Sequence, residues 1–156
     1  MSLAESLLEK LVKWRPDSAR ATLEVADAPS GATAVLSGDC VDQVGCRLWE
    51  VALRREKPPE GDLAARAAAT AARVTGLLEP LRVLEVDAGR GTALLRSDAP
   101  GRYGDGRFYY EVSLQADGAA AVRRYQAPHD GEPRRQQVTF SLTHEALGKL
   151  VGDLTA

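Results

Sequence analysis

The chain has 156 residues, of which 44% are hydrophobic and 27% charged, enough for one domain with a core that needs no disulfide or metal staple. Its formal net charge of −2 gives no electrostatic ground for nucleic acid or an anionic membrane as partner. Cys40, Cys46, His129 and His144 lack the closely paired spacing of a structural zinc site, so neither metal nor cofactor is expected. The absence of Ile and Asn and the preference for Arg over Lys suggest a GC-rich bacterial genome.

Met1–Pro16 carries Glu5 and Glu9, has no basic leader and no unbroken apolar run. It reads as neither secretory signal nor membrane span, which makes the cytoplasm the expected location and reduced thiols the expected state. Ser2 and Glu5 are spaced as a capping box, and Leu3, Leu7, Leu8, Leu11 and Val12 recur on one helical face. Pro16 is expected to stop this helix, with Trp14 as a core anchor.

From Ala21 to Glu56 the period changes to two. "ATLEVAD", "ATAVLSG" and "CRLWEVALRRE" predict three strands in meander order, joined by "DAPSG" and "GDCVDQVG". Strict alternation in the third puts Trp49, Val51 and Leu53 on one face and Leu48, Glu50 and Ala52 on the other. After the break "KPPEGD", the run "DLAARAAATAARVTGLLEPL" predicts a helix capped by Asp62. Its stripe is Leu63, Ala67, Ala71, Val74 and Leu78, small enough to pack closely on a sheet or on a second copy of itself.

Strands then resume. "LRVLEVD" and "TALLRS" precede the loop "DAPGRYGDG", and "RFYYEVSLQ" and "AAAVRRYQ" form a hairpin. In the first of these, Phe108, Tyr110, Val112 and Leu114 share one face, and Tyr109, Glu111 and Ser113 the other. The loop "APHDGEPRR" leads to "QQVTFSL", with Val138, Phe140 and Leu142 inward. Thr143 caps a last helix striped by Leu147, Leu150, Val151 and Leu154. The doublets Arg54-Arg55, Arg123-Arg124 and Arg134-Arg135 read as solvated edges or turns.

The whole therefore predicts a single α+β domain over 1–156, an antiparallel sheet with helices mainly on one face in the order α-βββ-α-β(4–5)-α. No internal repeat with shared residues is evident. This order resembles that of type III secretion chaperones and their non-secretory relatives. The resemblance covers the outline of the chain and rests on element order; the expectation of a protein-binding module comes from the antiparallel sheet, the alanine-striped helix and the lack of a catalytic motif.

One stretch points elsewhere. Val83–Leu95, "VLEVDAGRGTALL", resembles the first motif of S-adenosylmethionine-dependent methyltransferases, with Glu85 as the leading acid and Gly89 and Gly91 as two of the glycines. Asp87, however, occupies the place of the first glycine, and only six residues follow before "DAPG" interrupts. That is too short for the helix whose N-terminal amides would meet the cofactor. A β-hairpin turn accounts for every residue of the stretch.

No catalytic motif emerges: Ser97, His129 and Asp105 can be written as a triad, but no nucleophile-elbow sequence supports it. Two polar loops, 97–106 and 127–135, should emerge at the same end of the sheet, making Arg102, Tyr103, Asp105 and His129 the candidate ligand-binding residues. The expected function is a non-enzymatic protein-binding or adaptor module with an unidentified protein partner, self-associating through Leu63, Ala67 and Val74. The alternatives are a small-ligand binder or minor enzyme built on the two loops and, more remotely, the methyltransferase.

Overall fold

The computed structural model describes residues 1–17 and 19–156. Among these the chain forms helices α1 (Leu3–Leu11), α2 (Leu63–Arg73) and α3 (His144–Thr155) and ten strands. The strands are β1 (Ala21–Asp27), β2 (Ala32–Val41), β3 (Gly45–Arg55), β4 (Leu81–Asp87), β5 (Thr92–Ser97), β6 (Gly101–Tyr103), β7 (Gly106–Gln115), β8 (Ala120–Gln126), β9 (Gln136–Val138) and β10 (Phe140–Thr143). They make one antiparallel sheet in the order β1-β2-β3-β8-β7-β5-β4, with β10 on β3, β6 on β7 and β9 on β8.

The α+β outline expected from the sequence is the observed one. α1 begins at the predicted capping box, in which the Ser2 hydroxyl accepts from the Glu5 N–H and the Glu5 carboxylate accepts from the Ser2 N–H. It ends at Leu11, before Pro16, and Trp14 packs partly buried against the core. α3 starts where the Thr143 hydroxyl accepts from the Ala146 N–H. α2 begins after Asp62, whose side chain makes no capping bond, and stops at Arg73. Val74 leaves the helix with ψ 96°, so the predicted stripe breaks there: Leu77 turns inward and Leu78 is 68% exposed.

Leu7, Leu11, Ala67, Leu147 and Val151 from the helices meet Leu36, Leu48, Val51, Leu95, Val112 and Val122 from the sheet in one buried cluster. Complete burial of a side chain such as Leu48 is worth about 1.5–3 kcal/mol. Facing residues of the other side, among them Val35, Ala52, Ala121, Ser113 and Leu94, lie in one cross-strand row that no helix covers. Alternation in β3 differs from the expectation. Ser37 pairs with Glu50 and Gly38 with Leu48, so Trp49 is the extra residue of a bulge, and Leu48, Val51 and Leu53 share the buried face.

β4 and β5 are an antiparallel hairpin, with Asp87 opposite Thr92. The Asp87 carboxylate accepts from the Arg90 N–H at 3.1 Å, and Gly91 takes φ +67°. The hairpin β1–β2 closes the same way: the Asp27 carboxylate accepts from the Ser30 N–H at 3.2 Å and Gly31 has φ +68°. The chain thus carries a short internal repeat that the linear reading misses. Leu23-Glu24-Val25 matches Leu84-Glu85-Val86, the turn Asp27–Gly31 matches Asp87–Gly91, and Thr33–Leu36 matches Thr92–Leu95. One extra residue on each side of the first turn hides the correspondence. The two copies form opposite edges of the sheet. What resembles a methyl-donor motif is the second writing of a hairpin turn.

Candidate functional site at the fork of the sheet

β3 and β8 pair only along Val51–Leu53 and Ala120–Val122. Beyond that point they part, and the segment 136–143 fills the fork. β9 runs along β8 from Gln126 to Arg124, and the chain reverses at Thr139. β10 then runs back along β3 from Leu48 to Gly45. The predicted strand "QQVTFSL" is therefore two short strands with different partners.

An apolar groove of about 350 Å³ opens on the helix-bearing side of this fork, lined by Tyr103, Phe108, Tyr110 and Arg124 and by Val138–Ser141, with Leu78 at its rim. The rings form its wall. Tyr110 meets Phe140 edge to face at 5.4 Å between centroids, and Tyr103 lies 6.1 Å from Phe108. Exposed Leu78 and Tyr103, at 68% and 52%, leave an apolar lip in solvent.

Beneath the rings is a buried ion pair. Arg124, at 5% exposure, donates from Nη1 to Glu79 Oε1 at 2.9 Å and from Nη2 to Glu79 Oε2 at 3.3 Å. Ser97 Oγ donates to Glu79 Oε1 at 3.0 Å and accepts from the Tyr110 N–H at 2.8 Å. The guanidinium also lies 4.3 Å from the centre of the Tyr110 ring, a cation–π contact. Burial pushes the Tyr110 hydroxyl up to about 12, against the opposing pull of the Arg124 charge. Two glycines make room. A Cβ on Gly101 would lie 2.7 Å from Tyr103 Cε2 and 3.0 Å from Glu79 Oε2, and one on Gly106 would lie 2.6 Å from Phe108 Cε2.

Of the four residues expected to bind a ligand, only Tyr103 lines this groove. The two loops do leave the sheet at one end, with the Ala127 N–H donating to the Arg107 carbonyl. Arg102 and Asp105 stay exposed in the β6–β7 hairpin. His129 is exposed, its Nε2 2.9 Å from Gln126 Nε2. Arg135 folds back over the uncovered face, where it donates to Glu111 and to the Tyr109 hydroxyl and lies 3.8 Å over the Tyr125 ring. The Ser97 hydroxyl is fully engaged by Glu79 and Tyr110, so it has no part in a triad with His129. Leu63, Ala67 and Val74, expected to meet a second copy, are buried in this chain's own core.

Sequence reading placed Arg124 on a solvated edge; the structure buries it. The signal was present in the alternation, because Ala120, Val122 and Arg124 are in phase on β8 and the first two are core positions. Glu79 carried no such signal, since it lies in the irregular connector after α2. Among the described residues no group of three or more His, Cys, Asp or Glu is placed to hold a metal ion, and no helix is long and apolar enough to cross a membrane. Comparison of the chain with protein-family models, curated proteins and solved structures found no match.

Proposed function

We propose that the protein is a non-enzymatic binding module whose fork groove receives a bulky side chain from a segment of a partner protein. The observation that carries this reading is the groove itself: aromatic walls, an exposed apolar lip, and a charged floor whose hydrogen bonds are made internally. A floor of this kind has no free carboxylate or unpaired cation to act as acid, base or nucleophile. It does hold the rings in place, which is what a preformed binding pocket needs. Tyr is enriched in protein-binding hot spots, and exposed Leu78 beside Tyr103 adds apolar surface for a partner to cover. Self-association through Leu63, Ala67 and Val74 is no part of this reading.

Selection of displayed random peptides on the immobilised protein tests it. Enriched peptides are expected to bind wild type and to lose binding on Leu78→Ser and on Tyr103→Ala, while Arg54→Ala on the opposite face leaves it unchanged. No enrichment, or enriched peptides indifferent to both groove substitutions, overturns the reading.

A further inference from the structure

The polar atoms around the groove differ in how far they are satisfied. Glu79, Arg124 and Ser97 bond to one another, and Ser97 also takes the backbone N–H of Tyr110. Tyr110 itself is 1% exposed and lines the groove, yet among the described residues no hydrogen bond runs through its hydroxyl. Among the described residues, the buried side-chain nitrogens and oxygens without a partner are Arg55 Nε, Arg96 Nε and His144 Nε2. The Tyr110 hydroxyl is outside that set, so it keeps a trace of exposure, and Tyr110 lines the groove. Filling the groove with a purely apolar group would strand this hydroxyl without water or partner.

Charge on the incoming group is disfavoured. Arg124 is neutralised by Glu79 in a bidentate pair, so a carboxylate or ammonium would lose its hydration and gain no free counter-charge. Ring geometry favours another ring, because the faces and edges of Tyr103, Phe108, Tyr110 and Phe140 offer edge-to-face and offset contacts. The volume of about 350 Å³ is at the small end for ligand cavities and suits one ring-bearing side chain. A free small molecule of that size would leave Leu78 and Tyr103 wet at the lip, whereas a chain segment covers them.

We propose that the anchor of the partner segment is a tyrosine or tryptophan, its ring among those of Tyr103, Phe108 and Phe140 and its single polar atom hydrogen-bonded to the Tyr110 hydroxyl. This rests on the groove being a protein-binding site, as proposed above. Titration of the ¹⁵N-labelled protein with p-cresol, 3-methylindole and toluene, the side-chain analogues of Tyr, Trp and Phe, tests it through the backbone amides of Gly101, Gly106 and Ser141. p-Cresol and 3-methylindole are expected to bind about five-fold or more tighter than toluene, the ratio one added hydrogen bond supplies. Tyr110→Phe is expected to abolish that preference without weakening toluene and without changing the rest of the spectrum. Toluene binding as tightly as p-cresol in wild type, or the preference surviving in Tyr110→Phe, overturns the anchor assignment alone. No shift at these amides with any of the three overturns the groove reading with it. Exchanging Tyr or Trp for Phe in a peptide selected on the protein should cost the same five-fold. p-Cresol binding as tightly as such a peptide would make the ligand a free aromatic and overturn the partner assignment.

Discussion

Arg124 and Glu79 face each other through two N–H···O bonds of 2.9 and 3.3 Å, both side chains almost wholly removed from water. The pair ties β8 to the connector before β4, elements 45 residues apart in the chain, and Ser97 extends the tie to the end of β5. Its geometry is what holds the floor under the groove. Such a pair contributes little net stability over apolar residues of the same volume, but breaking it from one side is costly.

Arg124→Met leaves the Glu79 carboxylate buried beside one hydroxyl. The substitution is expected to destabilise the protein by about 3–5 kcal/mol in urea unfolding. The double variant Glu79→Leu with Arg124→Met should recover most of that loss. A single variant within about 0.5 kcal/mol of wild type, the range of ordinary surface substitutions, would show that the pair is open to water.

Gly101→Ala tests the close approach of the rim. The added methyl meets the Tyr103 ring and the Glu79 carboxylate at once, so the ring must swing outward. A stability loss of about 1–3 kcal/mol is expected, together with weaker peptide binding. Unchanged binding would mean that Tyr103 is not held where the groove requires it.

Alkaline titration reads the two buried acids. Burial raises the Cys46 thiol from 9.0 to about 11 and the Tyr110 hydroxyl from 10.0 to about 12. Both groups ionise more readily in the unfolded chain, so their contribution is intact below pH 9 and is lost as pH rises through 11 and 12. Stability should fall in that window as the unfolded state gives up protons first. Cys46→Ala should remove the lower part of the fall and Tyr110→Phe the upper part. A fall that neither substitution alters would place its cause elsewhere.

The twin hairpins predict equal behaviour at distant edges. Gly31→Ala and Gly91→Ala each force a Cβ into the left-handed region, at a cost of about 1–2 kcal/mol. S-adenosylmethionine should leave the amide signals of Asp87–Thr92 unmoved. Saturable shifts there would restore the cofactor reading of that turn.

How much of this was readable in advance depends on where each residue sits. α1, α3 and the β7–β8 hairpin follow from caps and alternation, because one buried face imposes the period on its own sequence. Trp49 broke the pattern since a bulge shifts phase and leaves no local mark. The fork escaped notice for a different reason: "QQVTFSL" alternates continuously, and its division between β8 and β3 is decided by strands far away in sequence. Tyr103, singled out as an aromatic residue in a loop, lines the groove. Arg124 was misjudged because an arginine doublet looks solvated until its phase on β8 is counted. Glu79 has meaning only once Arg124 is known to be inside.

The most direct test is a set of intermolecular NOEs between the protein and a peptide selected on it. Cross-peaks from the peptide to the rings of Tyr103, Phe108 and Phe140 are the expected result. Cross-peaks confined to Tyr109 and Tyr125, on the uncovered face of the sheet, would contradict the account.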